Sequence, residues 1–96
     1  AGGEPPVTTS QNLKIVNEKG LHARASAKFV ETVESFDGVA MVSRDGMRVS
    51  GDSIMGLLML GAHKGTFIEV ETSGPQASEL LSALQALVAN RFGEDF

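Results

Sequence analysis

The chain has 96 residues, a formal net charge of −4 from 8 Lys and Arg against 12 Asp and Glu, and no Cys, Trp or Tyr. That length fits one domain, and 42% hydrophobic with 21% charged residues is the composition of a globular chain, not a disordered one. The lack of Cys excludes a disulfide scaffold, a thiolate metal site and a cysteine nucleophile, and an acidic chain whose aromatics are 5 Phe lacks the basic, stacking surface of a general nucleic-acid binder.

Residues 1–10 (AGGEPPVTTS) are small, polar and rich in Pro and Gly, and read as a flexible leader. Leu13-Lys14-Ile15 alternates apolar and charged, which predicts a strand over Asn12 to Asn17. Glu18-Lys19-Gly20 breaks it. Ala25, Phe29, Val33 and Phe36 then recur at helical spacing, so a helix runs from Ala23 to Phe36 and ends at Asp37-Gly38, where Gly38 can turn left-handed. Val39 to Ser43 and Met47 to Ser50 are β-prone runs joined through Asp45-Gly46, a hairpin signal.

Asp52-Ser53 offers a cap for a short helix from Ile54 to Leu60. Lys64-Gly65 is a turn, Thr66 to Thr72 a strand and Ser73-Gly74-Pro75 a loop. Leu80, Leu81, Leu84, Leu87 and Val88 mark a last amphipathic helix over Gln76 to Asn90. The order β-α-β-β-α-β-α has too few strands for two sheets, so it predicts an α+β open-faced β-sandwich with the helices on one side. The domain is expected over 11–92, with a tail at 93–96. The longest apolar run, Ile54 to Ala62, falls far short of the ~20 residues that cross a bilayer, and a cytoplasmic protein without membrane insertion is expected.

Of the two histidines, His22 sits where the first loop meets the first helix, and His63 sits before a turn with the character of a surface residue. A helix start offers backbone N–H groups without helical acceptors and the positive end of the dipole, both favourable to an anion. Arg24 stands two positions on. Lys14, Lys19, Arg24 and Lys28 place four of the chain's 8 basic residues around His22, with Glu18 the only acid among them. A helix-cap or surface histidine is the plain reading; the local charge, opposite in sign to the whole, favours a histidine that carries an anion. No second His lies at ligand spacing, so no metal is expected. A Ser-His-Asp hydrolase has the residue types but neither a nucleophile-elbow sequence nor room for a cleft.

The short second helix is apolar all round. Leu57 and Leu60 can face inward, which leaves Ile54, Met55 and Leu58 outward as a partner surface or as packing under another segment. Ser53 is a stability cap by position, and a phosphate there would be tolerated by the helix end.

Gly20-Leu21-His22-Ala23-Arg24, followed by Ala27-Lys28-Phe29-Val30, closely resembles the active-site segment of the HPr family, the histidine-containing phosphocarriers of the bacterial phosphoenolpyruvate-dependent phosphotransferase system. Asp52-Ser53-Ile54-Met55-Gly56-Leu57-Leu58 resembles the regulatory-serine segment of that family, and Lys64-Gly65-Thr66 its next turn. Ser73-Gly74-Pro75-Gln76 and Phe92-Gly93-Glu94-Asp95 look more like its nitrogen-regulatory branch than its sugar branch.

The resemblance implies a four-stranded antiparallel sheet, its last strand between the first two, with three helices on one face. It implies that His22 takes a phosphoryl group on Nδ1 from phosphorylated enzyme I and passes it to an enzyme IIA protein, and that Arg24 stabilises the phosphate. Ser53 matches the serine that an HPr kinase/phosphorylase modifies in some lineages. Ala23, Ala27, Ile54, Met55 and Leu58 match the docking face. The chain is then a monomer that needs no cofactor. The alternative is a regulatory binding paralogue acting through its phosphorylation state. One departure stands out: the family has proline after the arginine, and this chain has Ala25.

Overall fold

The computed structural model describes residues 8–96. Four strands, β1 (Thr8–Lys14), β2 (Val39–Arg44), β3 (Met47–Ser50) and β4 (Phe67–Ser73), form one antiparallel sheet in the order β1-β4-β2-β3. The helices are α1 (Ala23–Glu34), α2 (Ile54–Met59) and α3 (Ala77–Ala89), with a short 3-10 turn at Arg91–Gly93. The last strand lies between the first two, as the resemblance implies.

Alternation along the central strands decides which face is covered. Ile68, Val70 and Thr72 of β4, and Ala40 and Val42 of β2, are buried, while Phe67 and Glu69 are exposed. Onto the buried face α3 lays Leu80, Leu84 and Val88, and α1 lays Ala25, Phe29 and Val33. Helix α1 packs against both α2 and α3. The Asp45-Gly46 signal holds: both residues have positive φ, 50° and 82°, as a two-residue type I′ turn requires.

Three boundaries differ from expectation by more than one residue. Strand β1 begins at Thr8 and takes in Thr8–Ser10, which composition assigns to the leader; it ends at Lys14, short of the Asn17 expected. Thr8, Thr9 and Ser10 pair with Ser73, Thr72 and Glu71 of β4. A polar stretch on an edge strand carries no alternation to read. Residues 1–7 of the expected leader lie outside the described residues.

Helix α1 ends at Glu34, so Phe36 packs half-buried from beyond the helix. Gly38 is not left-handed. Its role is close approach, since a Cβ there would stand 2.9 Å from the Ser73 carbonyl oxygen. Finally, residues 93–96 are bonded to the domain: the Glu18 N–H donates to the Phe96 carbonyl oxygen at 3.0 Å.

Candidate functional site

The loop from Ile15 to His22 is fixed at both ends by backbone bonds. The Ile15 N–H donates to Thr66 at 2.8 Å, and the Leu21 N–H donates to Ala62 at 2.8 Å. Gly20 makes the second bond possible. It has φ +65°, and a Cβ there would stand 2.5 Å from the Ala62 carbonyl oxygen and 2.8 Å from the Cα of His63. Only a glycine fits both the left-handed backbone and the contact.

His22 follows as the N-cap of α1, in extended conformation (φ −80°, ψ −176°), with its carbonyl accepting from the Ser26 N–H at 2.8 Å. Its side chain does not cap the helix. The ring is free of that duty and points elsewhere: Nε2 is hydrogen-bonded to Oε2 of Glu94. The other carboxylate oxygen, Oε1, accepts from Nδ2 of Asn17 at 2.9 Å, and that same Nδ2 donates to the Gly20 carbonyl at 2.8 Å. Asn17 is fully buried, and its Oδ1 has no partner among the described residues. Both neighbours of Nδ2 are acceptors, so the amide cannot be turned round to relieve Oδ1. An orphaned buried carbonyl costs about 1–3 kcal/mol; Asn17 is held in place by its two donated bonds.

Burial opposes ionisation of Glu94, but hydrogen bonds from Asn17 and His22 and the charges of His22 and Lys19 outweigh it and hold the carboxyl below its usual range. An ionised carboxylate can only accept. Nε2 therefore carries the proton, and a neutral His22 ring keeps its lone pair on Nδ1.

Glu94 reaches His22 across 72 residues of sequence because the chain turns sharply after α3. Arg91 and Phe92 have φ of 56° and 54°, and Gly93 has φ 79°. The left-handed region costs a non-glycine residue about 1–2 kcal/mol. Opposing this, Phe92 is fully buried, worth about 2–3 kcal/mol, and its carbonyl accepts from Nζ of Lys28 at 2.7 Å, worth about 1 kcal/mol. The turn holds, and Glu94 is delivered to the ring.

Beyond His22 the same segments line a cleft of Glu18, Lys19, Arg24, Lys28, Gly93, Glu94, Asp95 and Phe96. Three of the four expected cations are there, Arg24 among them and exposed. Lys14 instead lines a groove with Gln85, Val88 and Ala89 on α3. The cleft is not a purely basic patch, as the local sequence suggests, since the tail brings in Glu94 and Asp95. Glu18 is paired at 2.7 Å with Lys64, whose hydrogen bond and charge lower its carboxyl.

Ser53 is the N-cap of α2, and its Oγ accepts from the Gly56 N–H at 3.0 Å. Leu57 and Leu60 are buried, as the spacing predicts, while Ile54 and Met55 are exposed and Leu58 is half-buried. Met59, 65% exposed, extends the patch beyond the Ile54, Met55 and Leu58 that helical spacing points outward. Ala23 is exposed and Ala27 half-buried, and Ala25 is fully buried in the first turn of α1. His63 is an exposed residue whose backbone abuts Gly20. Nothing in the sequence marks Asn17, and Glu94 stands out there only within the Phe92-Gly93-Glu94-Asp95 segment of the nitrogen-branch resemblance, not as a site residue.

The open-faced sandwich thus presents a half-exposed histidine at a helix start, with no partner on Nδ1 among the described residues and Lys19, Arg24 and Lys28 in the adjoining cleft. The family model described as "PTS HPr component phosphorylation site" matches residues 9–90, and the chain belongs to this HPr family. The phosphocarrier protein HPr of Neisseria meningitidis (serogroup A) is 49% identical over 84 residues, 88% of this chain and 94% of that protein. The phosphocarrier protein NPr of Escherichia coli K12 is 40% identical over 90 residues, 93% of this chain and all 100% of that protein. Among solved structures, an HPr from Thermoanaerobacter tengcongensis superposes with a TM-score of 0.87 at 34% identity, covering 92% of this chain and 99% of that one.

The protein is a phosphocarrier of the phosphotransferase system, and membership of this family implies dealings with such enzymes as enzyme I and enzyme IIA. Among the described residues no helix is long and apolar enough to cross a membrane.

Proposed function

We propose that His22 accepts a phosphoryl group on Nδ1 from phosphorylated enzyme I and hands it to a histidine of an enzyme IIA protein. The observation that carries this is the fixed Nε2–H bond, which leaves Nδ1 as the nucleophilic nitrogen of a half-exposed ring. Arg24, exposed on the first turn of α1 and lining the same cleft, supplies a guanidinium to the phosphoryl oxygens. The chain contributes position and charge, and the partner completes each site. Ala23, Ala27, Ile54, Met55 and Leu58 form the docking face, to which the exposed Met59 belongs by continuity. Ser53 is a second phosphorylation site, open to an HPr kinase/phosphorylase where one exists. The carrier works in the cytoplasm as a monomer, with the domain taking in β1 from Thr8 and the tail 93–96 serving it.

Incubation with enzyme I and phosphoenolpyruvate tests the assignment. The expected result is an acid-labile mass gain of one phosphoryl group that is lost in His22→Ala; no gain with an active donor overturns it. The regulatory-paralogue alternative is disfavoured by the retention of both His22 and Arg24, a pair that a pure binding module does not need.

A further inference from the structure

We propose that Glu94, clamped by Asn17, is a positioning residue for His22: it takes the Nε2 proton in a hydrogen bond and balances the positive charge the ring acquires on phosphorylation. The proposal rests on the assignment of His22 as the accepting residue and deepens it.

Three observations converge. One carboxylate bridges the buried Asn17 amide and the reactive ring, so its position is set by the core and not by solvent. The Asn17 amide is kept in an orientation that leaves Oδ1 without a partner among the described residues, a cost that a positioning role for its Nδ2 bonds accounts for. The turn that delivers Glu94 holds two non-glycine residues left-handed, and such strain persists where the surrounding structure enforces it.

The chemistry supplies the reason. The Nδ1 lone pair of neutral His22 attacks the phosphorus of a donor phosphohistidine. A new N–P bond forms as the donor's P–N bond breaks, and the electron pair of the broken bond stays on the donor nitrogen. No proton moves. Nε2 keeps its hydrogen, so the His22 ring becomes a phosphoimidazolium while the donor ring returns to neutral. A carboxylate already bonded to Nε2–H stabilises that cation more than it stabilises the neutral ring, which lowers the barrier. An acid behind a histidine in a catalytic triad works on the same logic. Lys19 and Arg24, facing the cleft with Glu18 and Asp95, are left to the phosphoryl oxygens, while Lys28 holds the Phe92 carbonyl.

The test uses the full chain as wild type, Glu94→Gln and Glu94→Ala, with folding checked by amide NMR. In 15N-labelled wild type a low-field proton signal attached to the Nε2 of His22 is expected. Glu94→Gln keeps an acceptor and retains that signal, shifted upfield, while the rate of phosphoryl uptake from phospho-enzyme I falls about tenfold, a loss of about 1.4 kcal/mol of transition-state stabilisation. Glu94→Ala loses both signal and rate. An unchanged Nε2 signal in Glu94→Ala, or wild-type uptake by both variants, overturns the proposal. Failure of the wild type itself to take up phosphate overturns the reading of His22 beneath it, and is told apart because a failure at Glu94 leaves wild-type uptake intact.

Discussion

Lys28, on the second turn of α1, donates from Nζ to the carbonyl oxygen of Phe92 at 2.7 Å, tying the helix that begins at His22 to the turn that brings Glu94 back to it. The bond satisfies a carbonyl exposed by two successive left-handed residues. Replacing Lys28 by Met keeps the aliphatic stem and removes only the donor. The amides of Gly93 and Glu94 are expected to exchange faster, and stability to fall by about 1 kcal/mol, or roughly 4–8 °C in Tm. Unchanged exchange at Gly93 and Glu94 would show that the turn holds without the lysine.

The clamp on Glu94 makes the tail pH-dependent. Its carboxyl is held below the usual range in the folded protein, burial opposing and the bonds from Asn17 and His22 and the charges of His22 and Lys19 prevailing. A group with a depressed folded pKa contributes stability above its unfolded pKa and loses it as pH falls through the folded one. The tail is therefore expected to stay docked at neutral pH and to loosen only in acid, below the range where exposed glutamates titrate. Lys19, Arg24, Lys28, Glu18 and Asp95 line the same cleft, so the curve is to be read from the 13C shift of the Glu94 carboxyl itself. A midpoint at or above that of an exposed glutamate contradicts the clamp.

Gly20 and Gly61 separate two costs that a sequence cannot distinguish. Both are left-handed, with φ +65° and +61°, but a Cβ on Gly20 would strike the backbone of Ala62 and His63, whereas nothing lies within 4 Å of one on Gly61. Gly61→Ala is expected to cost about 1 kcal/mol of backbone strain. Gly20→Ala adds displacement of the loop that carries His22, for a total of about 2 kcal/mol or more. Chemical denaturation of the two variants checks this; equal losses would mean the loop yields without strain.

Local chemistry made part of this site legible. Gly20, His22, Arg24 and Ser53 announce a turn, a helix start and a cap within a few residues of sequence. The buried face of α1 follows from spacing alone, and Asp45-Gly46 names its own turn. Glu94 was hidden because its position depends on Arg91 and Phe92 adopting a backbone that local preference assigns to glycine. Asn17 was hidden because a buried amide is defined by partners, one of them 77 residues away. The start of β1 was hidden for the opposite reason: Thr8, Thr9 and Ser10 are strand only because β4 lies beside them.

The exposed apolar patch on α2 gives the remaining prediction. Ile54 is 40% exposed and Met55 69%, while Leu57 beneath them is fully buried. A charge at Ile54 therefore meets solvent in the free protein and a desolvated surface in a complex, where an unpaired carboxylate is costly. Ile54→Glu is expected to change folding stability by no more than about 0.5 kcal/mol. It is expected to weaken the affinity for enzyme I at least tenfold, about 1.4 kcal/mol. Leu57→Glu, by contrast, should unfold the domain. Titration calorimetry with enzyme I, beside a denaturation curve for each variant, separates the two effects. Wild-type affinity in a folded Ile54→Glu protein would remove α2 from the docking face and leave the surface around Ala23 and Ala27 to carry recognition.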